Sequence, residues 1–229
     1  MAWQSTLNPQ STVVEIRAEI ESLEDPRMRA TNEKHGNDFG VNLTKLRAVA
    51  KALKTNQELA GELWRTGDTT LRLLALLICQ PKKFSEEQLE QWMRDSTVPK
   101  VNDWFINYVV KKSPHLETMR QRWFAQEDTV VAAAGWELTA HQVTKKPEVL
   151  DFTGLLDVIE ARMAQAPDRL QWAMNNVLAT IGINDPDLRP RALQIGHDLQ
   201  VLADYPTSPG CTSPFAPIWI EEMVRRQQQ

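Results

Sequence analysis

The sequence is poor in the residues that define several protein classes. Its 229 residues include only 9 glycines and 2 cysteines. Scarce glycine excludes collagen-like and low-complexity chains. Two thiols are too few for a disulfide framework, so a reducing, cytoplasmic compartment is the simplest expectation. No apolar run approaches the roughly 18 residues of a membrane span, and the N-terminus has no secretory-signal pattern, so we expect no membrane partner.

Motifs for metal, phosphate-loop and nucleophilic chemistry are also missing. The histidines have no cysteine or carboxylate partner at ligand spacing, and neither CxxC nor HExxH occurs. No GxGxxG or GxxxxGK[ST] loop and no GxSxG elbow is present. The sequence therefore predicts no metal and no cofactor. A net charge of −4 gives no support to a strongly basic nucleic-acid binder, but it allows a local basic patch.

What the sequence does contain is helical periodicity that recurs along the chain. From residue 56 onward, amphipathic helices alternate with more apolar ones, and the apolar helices begin near residues 69, 101, 129 and 170. Helix pairs at such intervals are typical of HEAT-type repeats. We therefore predict an all-α protein, an α-solenoid of HEAT-like antiparallel helix pairs. It would form a single curved domain over residues 39–229, after an N-terminal helical extension over residues 1–38.

Local signals place several helix boundaries. Ser85 with Gln88 three residues later predicts a capping box, and Asp128 and Asp168 are predicted N-caps. Near the C-terminus, the proline-rich segment 204–217 predicts a loop docked by a final helix that carries Trp219. This loop is either an ordered segment packed on the last repeat or a functional lid or rim.

Tryptophan is the most informative residue type, with 8 in the chain. Trp104, Trp136 and Trp172 lie on second helices of successive pairs, so their indoles could converge on one groove and stack on a nucleobase or hold a cationic one. The alternative is that each fills a repeat interface. The tryptophans of the first helices are expected to pack in the core: Trp64, Trp92 and Trp123.

Polar residues interrupt the helix around Trp104. Asn107 and Tyr108 follow Trp104, and Tyr108 is its i+4 neighbour on one helical face. Residues 98–124 carry five basic side chains against two acidic ones. This local excess predicts phosphate contacts, unless the lysines only complement a helix dipole. The candidate phosphate-binding residues are Lys100, Lys111 and Lys112.

A second polar interruption lies after Trp172. Asn175 and Asn176 stand in the middle of a predicted helix, where asparagine is disfavoured because its side chain competes for the backbone. The pair is therefore expected to hydrogen-bond either a ligand or a neighbouring loop.

Five segments resemble the AlkD-like DNA alkylation repair family: FGVNLTKLRAVAKAL (39–53), DWFINYVVKK (103–112), AAGWELT (133–139), QWAMNNVLATIGI (171–183) and GCTSPFAPIWI (210–220). The resemblance spans roughly residues 34–226. It implies a HEAT-like solenoid that binds DNA on a concave basic surface and excises N3- or N7-alkylated purines. In that family, cleft tryptophans contact the cationic lesion and sugar, and an aspartate stabilises the developing oxocarbenium charge.

The family's site residues carry over only in part. Trp104 matches a cleft tryptophan, but Tyr108 stands where the family has its catalytic aspartate. A second cleft tryptophan matches Asn176 or a close neighbour, and a DNA-gripping arginine matches near Val131. Asp103 is the candidate replacement carboxylate, although it lies roughly 100° from Trp104 on an ideal helix.

Two functions follow from these observations. The first is a DNA alkylation repair-like protein that binds alkylated or structured DNA, either as a divergent glycosylase or as a binder without catalysis. The second is a non-catalytic HEAT-like module whose partner is a protein, which the net charge and the missing aspartate favour.

Overall fold

The structure, a computed structural model, describes residues 3–228. It divides into two compact units, the first ending at Leu116 and the second beginning at Glu117. Within the described residues the chain is helical, without strands, and one antiparallel bridge joins Glu24 to Val41. None of the helices in residues 3–228 is both long enough and apolar enough to cross a bilayer. The all-α prediction is confirmed.

The first unit contains seven α-helices among its described residues. They are α1 (Val13–Ser22), α2 (Pro26–Glu33), α3 (Leu43–Leu53), α4 (Gln57–Arg65), α5 (Thr69–Ile78), α6 (Glu86–Asp95) and α7 (Pro99–Trp104). A π-helical turn, Phe105–Val109, continues α7 and is followed by a 3₁₀ turn, Val110–Lys112. Helix α5 packs against α3, α4 and α7, and nearly all its side chains are buried. Helix α1 packs on α4 and α5 and buries Ile16 and Ile20 there.

An aromatic stack stabilises this unit. The indoles of Trp64 and Trp92 lie parallel with ring centroids 3.9 Å apart, and Phe84 meets Trp92 edge-on at 4.7 Å. Trp64 also donates its Nε1 hydrogen to the Asp95 carboxylate at 2.9 Å, so its polar atom is satisfied in the core. The packing role predicted for Trp64 and Trp92 is confirmed, and Trp123 of the second unit is fully buried as well.

The second unit begins within α8 (Leu116–Phe124). Its remaining described helices are α9 (Thr129–Lys145), α10 (Phe152–Arg162), α11 (Asp168–Asn184), α12 (Arg189–Leu199) and α13 (Ala216–Gln227). Helices α9 and α11 pack along each other, and α11 also contacts α10, α12 and α13. Gly135 lies where α9 crosses the end of α8, and a Cβ there would collide with the Phe124 backbone. Its glycine therefore permits the close approach of the two helices.

Most predicted boundaries hold, with two differences. Ser85 forms the capping box with Gln88, and Asp128 caps α9 through hydrogen bonds to Val130 and Val131. The N-cap prediction for Asp168 is wrong, because Pro167 occupies the N-cap position, no side chain caps the helix there, and Asp168 is the first helical residue. The polar run over residues 30–42 predicts a break between helices, but helix α2 extends into it as far as Glu33. It buries none of its residues, so it has no apolar stripe that could have revealed it.

Candidate functional site

The Trp104 side chain is the centre of a charged cluster in the first unit. Arg47 of α3 places its guanidinium carbon 4.9 Å from the centroid of the Trp104 ring, a cation–π contact. The Tyr108 ring lies 5.2 Å from the Trp104 ring, and Arg47 Nη2 donates to the Tyr108 hydroxyl at 3.3 Å. Trp104 is 4% exposed, whereas Arg47 is exposed. The face of this indole is therefore occupied by a cation of the protein itself.

The π-helical turn positions the other cations of the cluster. It places Tyr108 beside Trp104, and the 3₁₀ turn that follows carries Lys111 and Lys112. Lys112 Nζ lies 5.4 Å from the centroid of the Tyr108 ring. Such π-bulges are frequent at functional sites, because they turn side chains away from the regular helical positions.

The predicted polar residues form one chain of contacts. Lys111 Nζ donates to Asn107 Oδ1 at 2.8 Å, and Asn107 Nδ2 donates to Asp103 Oδ1 at 2.8 Å. Lys100 Nζ lies 3.9 Å from the other Asp103 carboxylate oxygen. Asp103 is 55% exposed, and its carboxylate is held between a lysine and an amide.

We define the cationic patch as Arg47, Lys100, Lys111 and Lys112. Among the contacts described for these four cations, one carboxylate takes part, that of Asp103, in a chain of net charge −4. Bidentate guanidinium groups and exposed ammonium groups bind phosphate oxygens well. The patch therefore has the chemistry to bind an anion, and it lies beside the rings of Trp104 and Tyr108.

Arg47 is the residue that sequence reasoning missed. It lies inside the segment FGVNLTKLRAVAKAL, but no role was assigned to it. Its hydrogen-bond partner Tyr108 is 61 residues later in the chain. Helical periodicity reports only neighbours on one helix, so no local signal links the two side chains.

Trp136 lies in the core of the second unit. It is 4% exposed, and its ring centroid is 4.5 Å from that of Phe124. One edge of Trp136 contributes to a recess of about 530 Å³, together with Leu170 and Met174. This arrangement corresponds to the alternative in which the indole fills an interface between helices.

Trp172 has a different environment in the same unit. It is 37% exposed, and its ring meets that of Tyr205 edge-to-face, with centroids 5.0 Å apart at 88°. The two rings line a second recess, of about 450 Å³, together with Trp219 and further residues of the proline-rich loop, to which Tyr205 belongs. We call this site the Trp172 recess. Trp136 and Trp172 line different recesses, so the structure does not bring these two indoles together along one wall.

The asparagine pair has protein partners. Asn175 Nδ2 donates to the Pro214 carbonyl at 2.9 Å, which ties the proline-rich loop to α11. Asn176 Nδ2 donates to the Glu137 carboxylate at 3.1 Å. Of the two partners expected for these residues, the structure shows the neighbouring loop for Asn175 and a side chain of α9 for Asn176.

Two further titratable groups are structural. Arg120 binds the Glu117 carboxylate with two nitrogens, Nη2 at 2.6 Å and Nε at 2.9 Å, and Gln142 Nε2 donates to it at 3.0 Å. The Arg120 hydrogen bonds lower the pKa of Glu117 to about 2. Burial raises the pKa of the Cys79 thiol to about 12, so this thiol is not a nucleophile near neutral pH. Within residues 3–228, no group of three metal-ligating side chains comes together.

Comparisons with known proteins agree with the helical architecture. A family model described as DNA alkylation repair enzyme matches residues 16–219, and the chain therefore belongs to that family. Uncharacterized proteins of Listeria innocua and Listeria monocytogenes are each 23% identical to it, over 94% of this chain and 98% of theirs. A solved structure from a new family of proteins related to the HEAT-like repeat DNA glycosylases, with affinity for branched DNA structures, superposes with a TM-score of 0.76. The two sequences are 24% identical, and the match covers 95% of each chain. The HEAT-like repeat fold is therefore confirmed.

Proposed function

We propose that this protein binds DNA, branched DNA included, through the phosphate contacts of its cationic patch, and that it does not excise alkylated purines. Membership of the DNA alkylation repair family supports a DNA substrate, and so does the affinity for branched DNA of the structurally similar family. Phosphate contacts are independent of base sequence, and they supply essentially all of the affinity in non-specific DNA binding.

The observation that carries this proposal is the position of Arg47. In the family that the sequence resembles, cleft tryptophans contact a positively charged lesion. Here the Trp104 face already holds the Arg47 guanidinium at 4.9 Å. A second cation near that position, whether an alkylated purine or an oxocarbenium ion, would be repelled by Arg47. The same guanidinium attracts a phosphate.

The phenol of Tyr108 and the carboxylate of Asp103 also support the proposal that the protein does not excise bases. Tyr108 presents a phenol where the resemblance places a carboxylate, and its hydroxyl accepts a hydrogen bond from Arg47. Asp103 forms an ion pair with Lys100 and accepts a hydrogen bond from Asn107. Among the contacts described, it makes none with the Trp104 ring. A carboxylate that stabilises an oxocarbenium ion must face the reacting sugar. The cluster supplies cations where that chemistry requires an anion.

The test combines binding with base release. Affinity for linear and four-way branched duplexes is measured for the wild type, for Arg47→Ala and for Arg94→Ala, a matched control because Arg94 is an exposed arginine of the same unit. Release of 7-methylguanine and 3-methyladenine is measured on methylated DNA. We expect binding that Arg47→Ala weakens by about tenfold, an unchanged control and no base release.

Other results would contradict the proposal in identifiable ways. Base release that disappears in Asp103→Ala would establish the glycosylase alternative and assign Asp103 as its carboxylate. Negligible, salt-insensitive DNA binding would instead favour the alternative in which the partner is a protein.

A further inference from the structure

We propose that the Trp172 recess accepts one unpaired nucleobase of bound DNA. This inference rests on the proposed DNA-binding function and adds a second contact site, located entirely in the second unit. It assigns an aromatic, uncharged ligand group to a site that is distinct in chemistry from the cationic patch.

The aromatic walls have the geometry that a flat ring requires. Trp172 is 37% exposed and Tyr205 is 47% exposed, although both are large aromatic side chains. Their rings stand at 88° to each other, and both line the recess. A base stacked on the exposed indole face would present its edge to the tyrosine ring, which is a favourable edge-to-face arrangement. The recess of about 450 Å³ lies within the range of pockets that hold small ligands.

The polar lining favours an uncharged ligand. Among the described residues, the side chains that line the recess include no lysine, arginine, aspartate or glutamate. Hydroxyl groups are present instead, notably those of Ser208 and Thr212. Each hydroxyl both donates and accepts, so it can pair with the edge of any base. The site therefore suits a nucleobase and not a phosphate, and it should show little sequence preference.

Several hydrogen bonds hold the recess in shape. The Asn175 amide fixes the Pro214 carbonyl at 2.9 Å, and Ser213 Oγ accepts from the Phe215 amide at 3.2 Å. Thr212 Oγ1 accepts from Arg226 at 3.3 Å, which leaves its own proton available for a ligand. A preformed recess costs little conformational entropy when it is filled.

Fluorescence of a base analogue tests the inference. A duplex carries 2-aminopurine in a single-base bulge, and a second duplex carries the same base fully paired. At saturating protein, stacking on Trp172 should quench the bulged probe at least twofold and leave the paired probe unchanged. Trp172→Ala should abolish the quenching and weaken bulged-duplex binding by about fivefold or more, while paired-duplex binding stays constant. Trp172→Phe, which keeps an aromatic face, should restore part of both effects.

Thiol reactivity provides a second readout in the unaltered protein. Cys211 is exposed and lines the recess, whereas Cys79 is buried. Saturating bulged duplex should slow alkylation of Cys211 by iodoacetamide at least threefold, and paired duplex should not.

The outcomes separate this inference from the proposed function. Tight duplex binding without bulge-specific quenching or Cys211 protection would overturn the Trp172 recess as a base site and leave the proposed function intact. Quenching that survives Trp172→Ala would also overturn it. Cys211 protection by a proline-rich peptide, but not by bulged DNA, would assign the recess to a protein partner instead. Absence of any DNA binding would overturn both.

Discussion

The neighbourhoods of Trp104 and Trp172 differ although the sequence places both indoles on the second helix of a pair. Trp104 is 4% exposed and lies beneath the guanidinium of Arg47. Trp172 is 37% exposed and meets only another aromatic ring, Tyr205, among the described ring contacts. A cation of the protein covers one face of the first indole, whereas the second indole is partly open to solvent.

This difference shows that the environment of an indole is set by its tertiary neighbours and not by its place in a repeat. A tryptophan covered by an arginine holds that guanidinium in place by a cation–π contact. A tryptophan bordered by hydroxyl groups and a loop contributes a stacking surface. The following predictions test that distinction.

The largest expected effect is on stability. Trp104→Ala removes a buried indole and should lower the free energy of unfolding by about 3–5 kcal/mol. Trp172→Ala removes a partly exposed side chain and should cost about 1 kcal/mol or less. The measurement is the urea midpoint of both variants, followed by far-UV circular dichroism. Similar losses of unfolding free energy in the two variants would contradict the difference in burial between Trp104 and Trp172.

The next effect concerns affinity for a fully paired duplex. Removing the Lys112 charge in Lys112→Ala should weaken binding by about three- to tenfold, since each phosphate contact contributes independently of base sequence. Trp172→Ala should leave this affinity within about twofold, because paired DNA offers no free base to stack. Fluorescence anisotropy with a labelled duplex measures both. If Trp172→Ala weakened duplex binding more than Lys112→Ala, the second unit, and not the cationic patch, would dominate duplex binding.

A smaller effect concerns the loop that borders Trp172. Asn175→Ala removes the hydrogen bond to the Pro214 carbonyl and should cost about 1 kcal/mol of stability. It should also loosen the recess, so that Cys211 alkylation accelerates in the free protein. Asn176→Ala is the matched control, since its bond runs to Glu137 on a neighbouring helix and not to the loop. If Cys211 alkylation accelerated equally in both variants, Asn175 would have no special role in anchoring the loop.

The smallest effect is an acid dependence of stability that arises at Glu117. The pKa of Glu117 is lowered from 4.5 to about 2 in the folded protein by its bonds with Arg120. Its contribution to stability is therefore present above pH 4.5 and is lost as the pH falls toward about 2. Glu117 is 36% exposed, so solvent screening limits the contribution to about 1 kcal/mol.

Glu117→Gln provides the measurement for this acid dependence. The variant should be less stable than the wild type near neutral pH. This difference in stability should shrink as the pH falls from 4.5 toward about 2. Urea midpoints across a pH series would show it. A difference that is constant with pH would assign the effect to packing and not to the charge.

The sequence predicted the helices because each helix with an apolar face has a periodic pattern. It missed α2, which buries no residue, and it misplaced the start of α11, where the backbone of Pro167 and not the side chain of Asp168 forms the cap. Local side-chain relations were predictable: Tyr108 does lie beside Trp104.

Contacts between distant segments were not predictable from one sequence. Arg47 reaches Tyr108 across 61 residues, and Asn175 reaches Pro214 across 39. Neither contact leaves a periodic trace, because it depends on how helices pack and on where a loop returns. The cationic patch was therefore only partly identified, through its lysines, and the guanidinium over Trp104 became visible only in three dimensions.

The salt dependence of duplex binding tests the central claim most directly. The logarithm of the affinity is plotted against the logarithm of salt concentration for the wild type and for the double variant Arg47→Ala, Lys112→Ala. If the cationic patch holds phosphates, the double variant should bind more weakly and its slope should be shallower by about 1.8, since each lost phosphate contact changes the slope by about 0.9. Parallel lines of equal affinity would contradict phosphate binding by the patch.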